Sequence, residues 1–267
     1  MASIAPVVIV TGGARGIGLA CSRRFYKDGF RVVIADIDEV AGQSVEEEIV
    51  ANGGEAVFVR VDVAEKLDIH NLVAVALEAF DRIDVLINNA AVSITKDFFD
   101  LTEADWEKVM RVNLTAPFLA SQAVARQVAL QIAEGREPEG GANYSIVNIS
   151  AVDAIMSNAD QIPFAVSKGG LNQLTKVLSL SLAEHGMRVN AIGPGSILTD
   201  HTKQSLEDAD ARKRVLARTP LGRIGSPEEI AGIAAFLAST AASYVTGQCI
   251  YADGGRLVQD VRFRPKD

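Results

Sequence analysis

The chain has 267 residues, 48% of them hydrophobic and 22% charged, with a formal net charge of −8. That length suits one large α/β domain, read here as a single unit over 1–267. Its apolar residues fall in short runs broken by charge, which excludes a membrane span, and a negative balance with no lysine or arginine stripe argues against nucleic acid as a partner.

The first apolar run, Val7-Val8-Ile9-Val10, leads directly into Thr11-Gly12-Gly13-Ala14-Arg15-Gly16-Ile17-Gly18, after which Leu19, Ala20 and Phe25 recur at helical spacing. This predicts a strand, a glycine turn and a helix whose first N–H groups stay unpaired, so that a pyrophosphate can bind there. The glycine spacing departs from the common G-x-G-x-x-G, and the alternative is a glycine-rich loop that merely closes a strand. A second strand over 31–36 ends in Asp36, about 20 residues beyond the middle glycine, where a carboxylate can accept both ribose hydroxyls and repel a 2′-phosphate. NAD is therefore expected over NADP, with Arg15 as the opposing hint. Further strands are predicted over 57–61, 83–87, 144–149, 188–192 and 248–251, with helix-period segments between them. Near-continuous apolar strands alternating with helices imply a doubly wound, Rossmann-like parallel sheet of seven strands, with ligands at the strands' carboxyl ends. The polar stretch 134–143 reads as an exposed loop. Cys21 and Cys249 do not suggest a disulfide framework or metal knuckle, and His70, His185 and His201 show no ligand spacing, so no metal is expected. With no basic region before the first apolar run, a secretory signal is not expected and a cytoplasmic location is.

Several strand ends line up with one family. From about residue 6 to residue 255 the chain resembles the classical short-chain dehydrogenase/reductases. The glycine turn matches their TGxxxGxG, Asp62-Val63 their adenine-contacting pair, and Asn88-Asn89-Ala90-Ala91 their NNAG with alanine for glycine. Asn113 falls where the family has a helical asparagine that holds a water beside the catalytic lysine. Pro194-Gly195 with Ile197 and Thr199 matches the segment that grips the nicotinamide carboxamide. The resemblance implies NAD binding by Thr11, Gly12, Arg15, Gly16, Ile17, Gly18, Asp36, Asp62, Val63, Asn89, Ala90, Lys168, Pro194, Gly195, Ile197 and Thr199. It also implies a secondary alcohol or ketone as substrate, a lid over about 196–218, and a homotetramer packed through the helices around the fifth strand. Small residues such as Ala116, Ala120, Ala123, Gly169 and Gly170 would let those helices approach closely or would simply pack on the sheet.

The departure from the family pattern is chemical. The family's reaction uses a Tyr-x-x-x-Lys pair and a serine thirteen residues before the tyrosine. Here Lys168 is kept, but Phe164 stands at the tyrosine position and Ala151 at the serine position. Ser150 and Ser167 are each one residue from a catalytic position and point elsewhere. Oxidising an alcohol requires a group that takes the hydroxyl proton, and a tyrosine can do so when a nearby ammonium lowers its pKa from ~10. Phenylalanine keeps the ring and loses the base. The expectation is a chain that binds NAD and substrate and turns over very slowly. An isosteric double substitution in an active parent accounts for the retained Lys168 and Asn113; a natural NAD-binding pseudoenzyme or sensor is the alternative.

Substrate identity is weakly encoded. The stretch 153–161 lies where the family lines its pocket, and Asp153, Asn158 and Gln161, if inward-facing, would favour a sugar, polyol or other polar alcohol. A steroid or hydroxyacyl substrate is the alternative. Lys203, Arg212, Lys213 and Arg214 could reach an anionic group or could belong to a solvated helix.

Overall fold

A computed structural model describes residues 5–136 and 143–258. Seven strands form one sheet in the order β3-β2-β1-β4-β5-β6-β7: β1 (Val7–Thr11), β2 (Arg31–Asp36), β3 (Ala56–Arg60), β4 (Val85–Asn88), β5 (Tyr144–Ile149), β6 (Met187–Pro194) and β7 (Cys249–Ala252). Every pairing is parallel, so each connection must cross over one face, and helices cover both. The alternation along β1 shows how the two layers are fed. Val8 and Val10 join the core under α1 (Gly16–Lys27), α2 (Glu39–Ala51) and α9 (Pro227–Ala238), while Val7 and Ile9 join the core under α3 (Lys66–Phe80) and α5 (Ala116–Ala133). Leu178 of α6 (Ile162–Ser181) packs on the second core as well.

The seven expected strands are all present, with small shifts at their ends. Ile83, expected in the fourth strand, lies before it: its N–H donates to Gln131 Oε1 (2.9 Å) and its carbonyl accepts from Gln131 Nε2 (3.0 Å). One buried amide on α5 thus does what a ladder neighbour would otherwise do. Residues 137–142 of the expected loop lie outside the described residues. The small residues offered as a helix contact turn inward: Ala116 and Ala120 are buried in the core, Ala123 packs against it, and a Cβ on Gly170 would meet Leu114. What α5 and α6 turn outward is instead larger and apolar, including Phe118, Leu130, Val177 and Leu180.

The strand order reverses between β1 and β4, because β1 feeds β2 and β3 on one side while β4 to β7 continue on the other. The crossovers part there and leave a crevice at the carboxyl ends of the strands. No helix among the described residues is long and apolar enough to cross a membrane.

Candidate active site

The crevice opens as a cavity of about 330 Å³ lined by Gly12, Arg15, Asp36, Ile37, Asp62, Val63, Asn89 and Ala90. Its floor is main chain, and glycine makes it so. Gly12 and Gly16 take φ of +61° and +51°, and a Cβ on Gly18 would stand 1.8 Å from the Gly12 carbonyl oxygen. The turn therefore folds back on the start of α1, whose first turn carries no acidic residue and whose N-cap, Arg15, makes no side-chain cap hydrogen bond. Open N–H groups at a helix start beside a glycine cradle fit a dinucleotide pyrophosphate.

Two predicted cofactor residues brace this cradle. The Thr11 hydroxyl donates to the Ile87 carbonyl (3.2 Å) and accepts from the N–H groups of Asn89 (3.0 Å) and Ala90 (3.2 Å). Asn89 Nδ2 donates to the carbonyls of Thr11 and Gly12, both at 3.0 Å. Together they lock the end of β1 to the end of β4. Asp36 projects from the end of β2, its carboxylate accepting from Ala14 N–H (3.0 Å) and Asp38 N–H (3.1 Å). Arg15 is ion-paired with Asp38, whose carboxyl is held below its usual range first by the main-chain N–H of Ala41 and then by this guanidinium. The cation that suggested NADP is thus engaged by a neighbouring acid. Asp62 accepts from Ala64 N–H (2.9 Å) at the end of β3.

The segment leaving β6 reaches back across the crevice. A Cβ on Gly195 would stand 2.7 Å from Asp253 Cα, so a side chain there would collide with the strand next door. Ile197 is buried in the core, where it pairs with Gly225, and its carbonyl accepts from Thr202 Oγ1 (2.7 Å). Thr199 caps α7 (Asp200–Glu207) through Thr202 N–H, and its methyl group would lie 3.2 Å from a Cβ on Gly16. The glycine turn and the expected lid therefore meet. That lid consists of α7 and α8 (Ala209–Leu216), and Lys203, Arg212, Lys213 and Arg214 on them are exposed.

The catalytic frame lies at the end of β5. Lys168 on α6 is buried, and its Nζ donates to the Ile149 carbonyl at 2.7 Å, two residues before Ala151. One turn earlier on the same helix face, the Phe164 ring centroid is 5.6 Å from that nitrogen. Burial lowers the Lys168 pKa to about 8, since no acidic side chain offsets the loss of water. Ala151 is buried at the start of the turn that follows. The adjacent serines are committed elsewhere. Ser150 Oγ points to the Lys168 carbonyl (3.4 Å), and Ser167 Oγ donates to the Phe164 carbonyl (2.7 Å).

Asn113 sits in a π turn, Arg111–Thr115, between α4 (Glu103–Met110) and α5. Both of its amide donors are engaged: Oδ1 accepts from Val92 N–H (2.8 Å), while Nδ2 donates to the Val92 carbonyl (2.9 Å) and to Ser167 Oγ (3.1 Å). The side chain thus joins the β4 loop to α6. Wide turns of this kind recur where a helix must present backbone to a site.

Of the predicted substrate residues, Asp153 is half-buried, and its pKa is raised by burial. Asn158 is exposed, and Gln161 Nε2 donates to Thr95 Oγ1 (3.2 Å). The sequence reading passed over Arg256, which stands beside Ser196 and within electrostatic reach of Asp153. Only strand order brings these three together, so no local signal could have found them. Among the described residues, no three His, Cys, Asp or Glu side chains gather as a metal site would require.

A parallel seven-stranded sheet with a glycine cradle at its switch point and a buried lysine at the end of β5 defines a dinucleotide-dependent oxidoreductase fold. Residues 12–256 match the family model described as enoyl-(acyl carrier protein) reductase. The chain is 40% identical to L-rhamnose 1-dehydrogenase (NAD(P)(+)) of Azotobacter vinelandii over 97% of its own length and 99% of that protein. It is 38% identical to a 3-oxoacyl-[acyl-carrier-protein] reductase of Synechocystis sp., over 95% of this chain and 98% of that one. A putative gluconate dehydrogenase from Agrobacterium tumefaciens superposes with a TM-score of 0.89 at 32% identity, covering 97% and 98% of the two chains. The chain belongs to the classical short-chain dehydrogenase/reductase family.

Proposed function

We propose that this chain is the frame of an NAD-preferring dehydrogenase of a polyhydroxylated secondary alcohol, retaining both binding sites and lacking the groups that move the proton. The observation that carries the reading is the position of Lys168, buried, held by Ile149 and facing the Phe164 ring, with alanine where a hydroxyl would complete the site. Bound NAD supplies the hydride acceptor. The chain's part is to exclude water, orient the carbinol and remove its proton. Lys168 is placed to hold a positive charge beside a phenol oxygen at the end of the Phe164 ring, and a hydroxyl on position 151 would bind the developing oxyanion. Without these oxygens the carbinol proton has no nearby acceptor.

Asp36 supports NAD over NADP, since its carboxylate lines the cavity, where it would accept ribose hydroxyls and repel a 2′-phosphate, and Arg15 is paired with Asp38. The A. vinelandii relative is named for both cofactors, so the preference in this chain rests on that geometry. The sugar-related names of two relatives support a polar substrate, as does the half-buried Asp153. The outward apolar side chains of α5 and α6 support association of subunits through these helices. We place the protein among cytoplasmic enzymes with one NAD-binding unit.

Ala151→Ser with Phe164→Tyr tests the reading. The double variant is expected to oxidise at least one sugar, polyol or sugar acid at roughly 10³ times the rate of the unmodified chain or more, with NAD affinity unchanged. An unchanged rate across a broad alcohol panel would leave the second reading, an NAD-binding pseudoenzyme, which the two missing hydroxyls favour directly.

A further inference from the structure

We propose that Arg256 and Asp153 recognise opposite ends of a polyhydroxylated carboxylate, so that the ligand class is the sugar acids; this rests on the reading of the β5 end of the cleft as the substrate end. Arg256 opens the short turn Arg256–Val258 after β7. Because β5, β6 and β7 are neighbours in that order, the chain leaving each strand converges on one spot: Asp153 after β5, Ser196 after β6 and Arg256 after β7. Asp153 is two residues from Ala151, and Ser196 follows the Pro194-Gly195 segment, so the spot adjoins the reaction centre.

The guanidinium there is under-bonded. Its one hydrogen bond among the described residues is a long contact, 3.5 Å from Nη1 to Ser196 Oγ, and its Nε is buried with no acceptor. Asp153 attracts it electrostatically, without an ion pair between the two among the described residues. Asp253, three residues earlier, spends its carboxylate on the N–H groups of Gly255 (2.8 Å) and Leu257 (2.7 Å). A half-buried guanidinium whose Nε is buried without an acceptor calls for a group that only accepts, and a carboxylate matches its fork. Asp153 is the complementary element, an acceptor for the hydroxyls that such a ligand carries further along its chain. A neutral polyol would satisfy Asp153 and leave Arg256 unmet.

Because binding does not require turnover, the unmodified chain saturated with NAD can be titrated calorimetrically with a panel of hexonates and their matching hexitols. Each pair differs only in a terminal carboxylate or CH₂OH. At least one hexonate is expected to bind about 30-fold more tightly than its hexitol. Arg256→Gln should erase that difference, and Arg256→Lys should keep part of it, while NAD affinity and the melting temperature stay put. Equal affinity within every pair, or no binding of any hexonate to the NAD-loaded chain, overturns the inference. A chain that fails to retain NAD overturns the earlier reading instead. If Arg256→Gln does not fold, the matched pairs on the unmodified chain decide the matter alone.

Discussion

At the β1–β4 end of the cleft, beside the Asp36 carboxylate, stands a cradle of main-chain atoms brought close by glycine and braced by Thr11 and Asn89. At the β5–β7 end, the decisive groups are single side-chain atoms: the Lys168 ammonium, the Asp153 carboxylate, the Arg256 fork, and the oxygens that Ala151 and Phe164 lack. The glycine cradle cannot change without disturbing packing. The β5–β7 end can lose its chemistry with no cost to the fold, because alanine and phenylalanine fill nearly the same space as serine and tyrosine. On the proposed reading, binding and catalysis are thus separable in this molecule.

The largest expected effect sharpens that contrast. Phe164→Tyr alone should recover most of the rate, roughly 10² to 10⁴, and Ala151→Ser alone much less, because a hydrogen-bond donor to the oxyanion does little while no base takes the proton. Initial rates of reduced-cofactor formation measure this, and equal recovery by the two single variants would break the proposed division of roles. Next in size, Gly18→Ala should cost about 2 kcal/mol of stability and weaken NAD binding roughly a hundredfold or more, since its Cβ meets a carbonyl that cannot retreat. Denaturant melts and cofactor titration would report both.

A smaller change is expected from Asp36→Ala, about tenfold weaker NAD binding with NADP binding improved. Asp38→Ala should release Arg15 and tighten NADP severalfold without harming NAD. If NADP binding ignores Asp38, the pair is only a surface contact. The pH dependence of folding is the next smaller test. Burial lowers the Lys168 pKa from 10.5 to about 8, so between those values the unfolded chain holds a proton that the folded chain does not. Stability therefore rises with pH through that window and carries the full penalty below it. Lys168→Met should remove about 1 to 2 kcal/mol of that rise between roughly pH 8 and 9.5, visible as parallel rather than diverging melting curves. Last, Arg23→Ala breaks an exposed pair with Glu48 and should move stability by no more than about 0.5 kcal/mol.

The strands were legible because each is a short apolar run bounded by turn residues, and β2 and β5 have the bounds expected of them. The glycine cradle was legible for the same reason, being local in sequence. Ile83 was misplaced because its hydrogen bonds go to Gln131, 48 residues away. The brace roles of Thr11 and Asn89 and the Arg15–Asp38 pair depend on which strand ends become neighbours, which a linear reading does not reveal. Arg256 was invisible for that reason too: 103 residues separate it from Asp153, and nothing around it marks a motif.

The π turn carries a consequence for how this chain tolerates change in length. It holds one residue more than a regular helix would need between Glu103 and Ala133. Deleting Leu114 would give an unbroken α-helix by every local criterion, with α4 and α5 kept nearly in phase, yet it would remove the wide turn that carries Asn113. Val109 would keep its buried seat, but Asn113 would lose its grip on Val92 and Ser167. A shorter, locally better helix would thus uncouple the β4 loop from the helix that bears Lys168.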